Sequence, residues 1–360
     1  MQYNKKLITF FITLLLMAGC KKEDLTTPGD KAADARSIGS FIRNNYDLSL
    51  LSAALERAGF LDSLNQPGPF TFFAPDNAAF NAIGITSAKD FETMNVDSLR
   101  FALKCQGFRD RKYVSDFPYQ LGNKYVSLAG PEMYISVSRN NTGVSNGAND
   151  RTVYVNGAYV YSNTKRNIGL ANGVVHVVRM PFRYTQGTVQ DFLMADSSLS
   201  LFVTAMKRFK LWDGLKEKGP FTVFAPHNDA FRKYDLTADS INRMDPDKFD
   251  SIAFGIYPLM EETRHIFSTD WQQINVDYSG VNTYIHLPGF SMRPAYSYNE
   301  YLQQENHSIL VVDDKGKSGI NGPQTIHYKN GVAMGADHMV TNGIVHIVDD
   351  LLLYPQTLIK

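Results

Sequence analysis

The phrase GPFTFFAPDNAAF at 68–80 returns as GPFTVFAPHNDAF at 219–231, with ten of the thirteen positions identical. A repeat this long, spaced by 151 residues, restricts the chain to architectures that build the same unit twice. The offset holds upstream without a gap. Phe41 and Ile42 meet Phe192 and Leu193; Leu48, Leu51 and Leu55 meet Leu199, Phe202 and Met206; Leu61 and Leu64 meet Trp212 and Leu215. These apolar positions recur at steps of three and four, the stripe of an amphipathic helix against a core. A second phrase, NGVVHVV at 172–178, returns as NGIVHIV at 342–348 with an offset of 170, so the second copy is 19 residues longer between its phrases. Units of 150 to 170 residues are domains in tandem rather than solenoid repeats.

Inside each phrase the residues have structural work to do. Gly68-Pro69 interrupts the preceding helix, FTFFAP reads as a strand with bulky side chains on both faces, and Pro75 ends it. Asp76 or Asn77 is placed to cap a helix starting at the following alanines. In the second copy His227 replaces Asp76, which makes Asn228 the expected cap. Between the phrases the sequence predicts a helix (VDSLRFALKCQGF; PDKFDSIAFGIYPLM) and then short alternating strands separated by Gly and Asn, such as EMYISVSR, TVYVNGAYVYS and SILVVDD. Each unit is thus mixed, with helices early and an antiparallel sheet late.

The N-terminus is an address. Lys5 and Lys6 precede an apolar run from Leu7 to Ala18, which has the length of a signal-peptide core. Ala18-Gly19-Cys20 resembles a bacterial lipobox, although Leu16 stands one place early and Met17 takes the usual leucine position. A plain signal peptide cut near Ala18 would leave a similar pattern. Lipidation of Cys20 would anchor the chain to a membrane and leave Cys105, set in an apolar helical pattern, as a small buried hydrophobe. Residues 21–36 are polar and contain Pro28-Gly29, as a flexible tether does. Lys22-Glu23-Asp24 resembles the signal that sends some Bacteroidota lipoproteins to the outer face of the outer membrane.

Taken together, the two phrases resemble the first and second motifs of the fasciclin (FAS1) domain, in the right order and after the right helix. The resemblance implies an α+β fold: two tandem FAS1-type domains, each a β-wedge or sandwich with helices packed at one end. Residues 1–19 are then a lipoprotein signal peptide, 20–36 the lipidated Cys and tether, 37–184 the first domain and 185–356 the second, with the longer middle. It also implies a non-catalytic role in adhesion or ligand binding at the cell envelope, with an extracellular protein, matrix or glycan as partner. The family's Tyr-His pair late in the middle helix is absent: Cys105-Gln106 and Gly255-Ile256 occupy those places, so the partners of animal members do not transfer.

Thirty-six basic and 36 acidic residues leave no surplus for nucleic acid. No phosphate loop, dinucleotide fingerprint, G-x-S-x-G or H-E-x-x-H is present, and no catalytic residue, metal site or cofactor is expected. Glu261-Glu262, Asp313-Asp314 and Asp349-Asp350 are neighbours, which an extended chain points to opposite faces. His176 and His346 sit among valines and isoleucines, where a histidine is usually bonded to nearby backbone. Asp337 and His338 offer metal-binding atoms without an identifiable third ligand. The candidate ligand surface is aromatic: Trp271, Tyr278, Tyr284, Tyr296, Tyr298 and Tyr301 cluster in the second copy's middle. Were they to line an open groove, a glycan-binding accessory lipoprotein of a polysaccharide uptake system would be the alternative function.

Overall fold

The computed structural model describes residues 36–139, 151–249, 265–270, 285–287, 290–299, 304–313, 318–320, 328–329, 332–333 and 335–351. The first unit opens with helices Ile38–Arg43 and Ser49–Arg57. They are separate helices rather than the single one the apolar stripe suggests. Asn45 breaks the run because its side chain accepts from the Asp47 amide at 3.0 Å, an alternative to the helical bond. Asp196 does the same to Ser198 in the second unit.

Strand β1 (Phe70–Pro75) follows, then helices Asn77–Ala82 and Val96–Lys104 and the short β2 (Gly107–Phe108). Strands β3 (Asn123–Val126), β4 (Glu132–Arg139), β5 (Arg151–Val155) and β6 (Ala158–Tyr159) form an antiparallel meander. The unit closes with β7 (Ile168–Leu170) and β8 (Gly173–Val178). The chain is α+β, as expected, but the sheet is not wholly antiparallel. The two phrases of each copy lie side by side as parallel strands, Phe70 opposite Gly173 through to Pro75 opposite Val178. All six residues of β1 and of β8 are buried. Phe70, Phe72, Ala74 and Val175 face the helices, packing on Ile38, Ile42, Leu51 and Leu55. Phe73 and Val178 face the meander's Ile135, Val137, Val153 and Val155. The parallel pair is therefore the middle layer between helices and a second sheet, which is why its phrase is apolar on both faces.

The second unit repeats the plan: helices Val189–Ala195 and Ser200–Arg208, β9 (Phe221–Pro226), and helices Asn228–Arg232 and Ala238–Arg243. A meander of β10 (Ile285–Leu287), β11 (Phe290–Asn299), β12 (Gln304–Asp313) and β13 (Ser318–Ile320) comes next. A hairpin of β14 (Tyr328–Lys329) and β15 (Val332–Ala333) precedes β16 (His338–Val340) and β17 (Gly343–Val348), and β17 runs parallel to β9. The two meanders are nearly equal, 123–159 and 285–320. The extra length lies on either side of the second one. Pro75 to Asn123 is 48 residues and Pro226 to Ile285 is 59; Tyr159 to Ile168 is 9 and Ile320 to His338 is 18. No helix among the described residues is long and apolar enough to cross a membrane.

Candidate functional site

The repeated phrases come first, since each copy brings its polar residues to equivalent positions. Asn172, at the entrance to β8, accepts from the Ile38 amide at 2.9 Å and donates to the carbonyls of Leu64 and Gln66, both at 2.8 Å. Asn342 accepts from the Val189 amide at 2.8 Å and donates to Leu215 and Glu217 at 3.0 and 2.9 Å. One buried amide thus ties the first helix, the turn before β1 and the strand β8 together. The following glycine is required by close approach: a Cβ on Gly173 would stand 2.2 Å from the Phe70 carbonyl oxygen.

The histidines are structural. His176 accepts at Nδ1 from the Asn167 amide at 3.2 Å and places Nε2 3.0 Å from the Lys112 carbonyl. His346 repeats this with Asp337 and Ile266 at the same two distances. Each ring stacks on a phenylalanine of the neighbouring parallel strand, Phe73 at 5.4 Å and Phe224 at 5.0 Å. An Nδ1 that accepts and an Nε2 that faces a carbonyl describe a neutral ring. Burial holds His176 down to about 4. Its folded value lies below the unfolded one, so the unfolded chain binds the extra proton between about pH 6.5 and 4 and stability falls as pH falls through that window. His176→Gln should flatten the acid limb of a plot of urea midpoint against pH; an unchanged limb would remove His176 from the acid response.

The first cap is one of the two the sequence offers, and the second departs from expectation. Asp76 caps its helix through the Ala79 amide at 3.0 Å, and His227 caps the second copy through the Asp229 amide at 3.3 Å. Asn228 is not the cap because it is engaged elsewhere: it accepts from Leu201 and donates to Ser197, as Asn77 does with Leu50 and Tyr46. Asp76 also meets Lys165 at 3.0 Å. Cys105 is buried, and burial pushes its thiol up to about 12, far from the reactive range. Asp337 spends its carboxylate on Ser268, whose amide and hydroxyl donate to it at 2.7 and 2.5 Å. Asp350 takes Lys233 at 3.1 Å and the Tyr234 hydroxyl at 2.9 Å.

Sequence reasoning did not find the seam between the two copies. Segment 265–270 of the second copy lies against β4 of the first. Asp270 accepts from the Ser136 hydroxyl at 2.8 Å, and the His265 and Phe267 rings stand 4.4 and 6.0 Å from Tyr134. Tyr134, Phe267, Met339 and Ile344 form one buried apolar cluster with Tyr184 packed on it. The Tyr134 hydroxyl donates to Glu132 at 2.5 Å; burial, and then this bond, raise the Tyr134 pKa, the bond lowers that of Glu132, and burial holds His265 down to about 4. The connecting segment joins β16 as an added strand: the Met339 amide donates to Arg183, Thr185 donates to Met339, and Thr341 donates to Gly187. None of these residues recurs in both copies, so the repeat gave no signal for them. The Asn156-Gly157 turn was legible as a turn, but not that a Cβ on Gly157 would meet Asp337 Oδ2 at 2.6 Å.

Of the aromatic candidates, Tyr296 and Tyr298 sit two apart on β11, opposite His307 and Glu305 in register. Trp271, Tyr278, Tyr284 and Tyr301 lie outside the described residues, as do Cys20, the tether to residue 35, Glu261-Glu262 and the Gly255-Ile256 position. No cluster of three metal-ligating side chains occurs among the described residues.

The geometry of the phrases can be set beside known proteins. Human periostin is 27% identical over 294 residues, covering 81% of this chain and 29% of periostin. Human stabilin-1 is 24% identical over 318 residues, 86% of this chain and 10% of that protein. Protein sll1483 of Synechocystis is 23% identical over 168 residues, 47% of this chain and 74% of its own length. The chain thus spans less than a third of either human relative. A solved FAS1 domain pair from the insect cell adhesion molecule fasciclin I is 18% identical with a TM-score of 0.36, covering 86% of this chain and 97% of that one. The family model for the fasciclin domain matches residues 46–182 and 197–253. The second match includes β9 and ends between β9 and β10, and β17, beyond it, completes the same parallel pair with β9. With both phrases in their paired strands and more than half of its length matched, the chain belongs to the fasciclin domain family.

Proposed function

We propose that the chain is a non-catalytic binding protein of the cell envelope, anchored to the outer membrane through lipid on Cys20, whose two fasciclin domains hold an extracellular protein or matrix ligand. The observation that carries this reading is the internal use of the phrase residues. In both copies the asparagine, the histidine and the cap are already bonded to the chain's own backbone. The repeated residues are therefore scaffold, and binding belongs to surfaces where the copies differ. Burial also supports the reading, because it keeps His176 neutral and Cys105 as a thiol, which removes a base and a nucleophile from use. Two domains on one tether permit avidity for a repeated ligand.

The test is a pull-down from envelope and matrix preparations together with a glycan array, using residues 21–360. The adhesion reading expects a captured protein that binds saturably once purified, and no consistent sugar. Consistent sugar binding would replace it with the glycan-accessory function. For the anchor, Cys20→Ala should move the full chain from the membrane to the soluble fraction; retention in the membrane would overturn the lipid anchor.

A further inference from the structure

The chain enters and leaves each domain at opposite ends of one strand. In the first domain the Ile38 amide donates to Asn172 at 2.9 Å, and Ile38 packs so closely on the next residue that a Cβ on Gly173 would stand 2.8 Å from Ile38 Cδ1. The entry therefore sits at the start of β8. Val178, where the chain leaves that strand, is about 17 Å further along it. The second domain has the same plan. The Val189 amide donates to Asn342 at 2.8 Å, just ahead of β17, and β17 ends at Val348.

Tension applied through the chain ends pulls these two points apart, and the fold decides what resists. The entering helix Ile38–Arg43 is fixed to the turn ahead of β1. Ser37 donates to the Asn65 side chain at 2.5 Å, Asn172 donates to Leu64 and Gln66, and Ile38 and Ile42 are buried. Helix, turn and β1 are thus drawn one way while β8 is drawn the other. Because β1 and β8 are parallel and paired at six positions, they are forced to slide lengthwise, and all six pairs take the force together. On its other side β8 is held by β7 at three positions. Its far end is held by the chain around β6, where Tyr161 donates to Val177 and Arg179 to Tyr159. A hairpin pulled by its two ends would instead open from one side, one bond after another.

We propose that each fasciclin domain resists tension by shear of its parallel pair, β1 with β8 and β9 with β17, and that Asn172 and Asn342 are the pins that pass the force from the entering helix to that pair. The two domains then form two such links in series between a membrane anchor and a bound partner. This deepens the binding reading and rests on it for the source of the force, but the test below pulls on the chain directly and can fail without touching the pull-down.

The test is single-molecule pulling on the full chain carrying Cys20→Ala, in detergent, with DNA handles on introduced cysteines; Cys105 is buried and takes no handle. Arg36→Cys with Gln186→Cys, both at exposed positions, applies force as the chain ends do. Gln66→Cys with Ala171→Cys, also exposed, holds the same end of both strands and opens the ladder pair by pair. At one loading rate the first geometry should rupture at about threefold higher force or more, in one step that releases roughly 500 Å of chain. In that geometry Asn172→Ala should add a short release at low force, as the helix Ile38–Arg43 peels away before the strands part. Leu103→Ala opens a cavity in the same core, but its side chain makes no bond on this path. It should lower the rupture force, which follows the unfolding barrier, without adding that step. Equal rupture forces in the two geometries would overturn the proposal. So would a short early release in the native chain, an Asn172→Ala trace without one, or the same early release from Leu103→Ala.

Discussion

Asn172→Ala should lower the stability of the first domain by about 3 kcal/mol, and Asn342→Ala should cost the second domain the same. Each substitution strips a partner from one amide and two carbonyls that the asparagine side chain holds between 2.8 and 3.0 Å. A buried polar group left unpaired costs about 1–3 kcal/mol, and water reaches only the Gln66 and Glu217 ends, which are part-buried. Asn172→Asp separates the contributions. A carboxylate still accepts from Ile38 but cannot donate to Leu64 or Gln66, so its cost should approach that of alanine. The measurement is urea unfolding, read as a shift in midpoint at constant m. A loss below about 1 kcal/mol at either site would mean that the asparagine is not the tie between helix, turn and strand.

That tie shows how far the sequence could be read. Two phrases in fixed order revealed the number of domains, and the doubly apolar FTFFAP gave a strand buried on both faces. That β1 and β8 are parallel neighbours was not legible, because periodicity reports which face a residue takes and not which distant strand lies beside it. The split of the first helix was written in Asn45 and Asp196, but a polar residue inside an apolar stripe reads equally well as the helix's wet face. The cap at His227 escapes the local rule, which prefers asparagine, because Asn228 answers to Leu201 and Ser197, 27 and 31 residues away. The seam lay furthest from view. Tyr134, Ser136, Phe267 and Asp270 are each single residues in unrelated stretches, and only the fold brings them together.

Asp337→Ala should cost about 3 kcal/mol and, more tellingly, uncouple the two domains. The carboxylate is buried and receives two donors from Ser268, itself buried, so its removal orphans an N–H and an O–H where water does not reach. Asp337 also has φ of 60°, a left-handed conformation that aspartate tolerates better than alanine. The consequence extends beyond the second domain because Ser268 belongs to segment 265–270. That segment is fastened at one side to Asp337 and at the other to the first domain, through Ser136 and the rings against Tyr134. Loosening one side releases the other. Calorimetry should therefore show one coupled transition for the native chain and two separated ones for Asp337→Ala. Gly157→Ala reaches the same seam from the first domain, by driving a Cβ to 2.6 Å from Asp337 Oδ2, and should also separate the transitions. If both variants lose stability yet still unfold in a single step, the coupling runs through the strand that the connecting segment adds to β16 rather than through Asp337. Breaking the seam would then require Thr185→Pro, which removes the amide bonded to Met339.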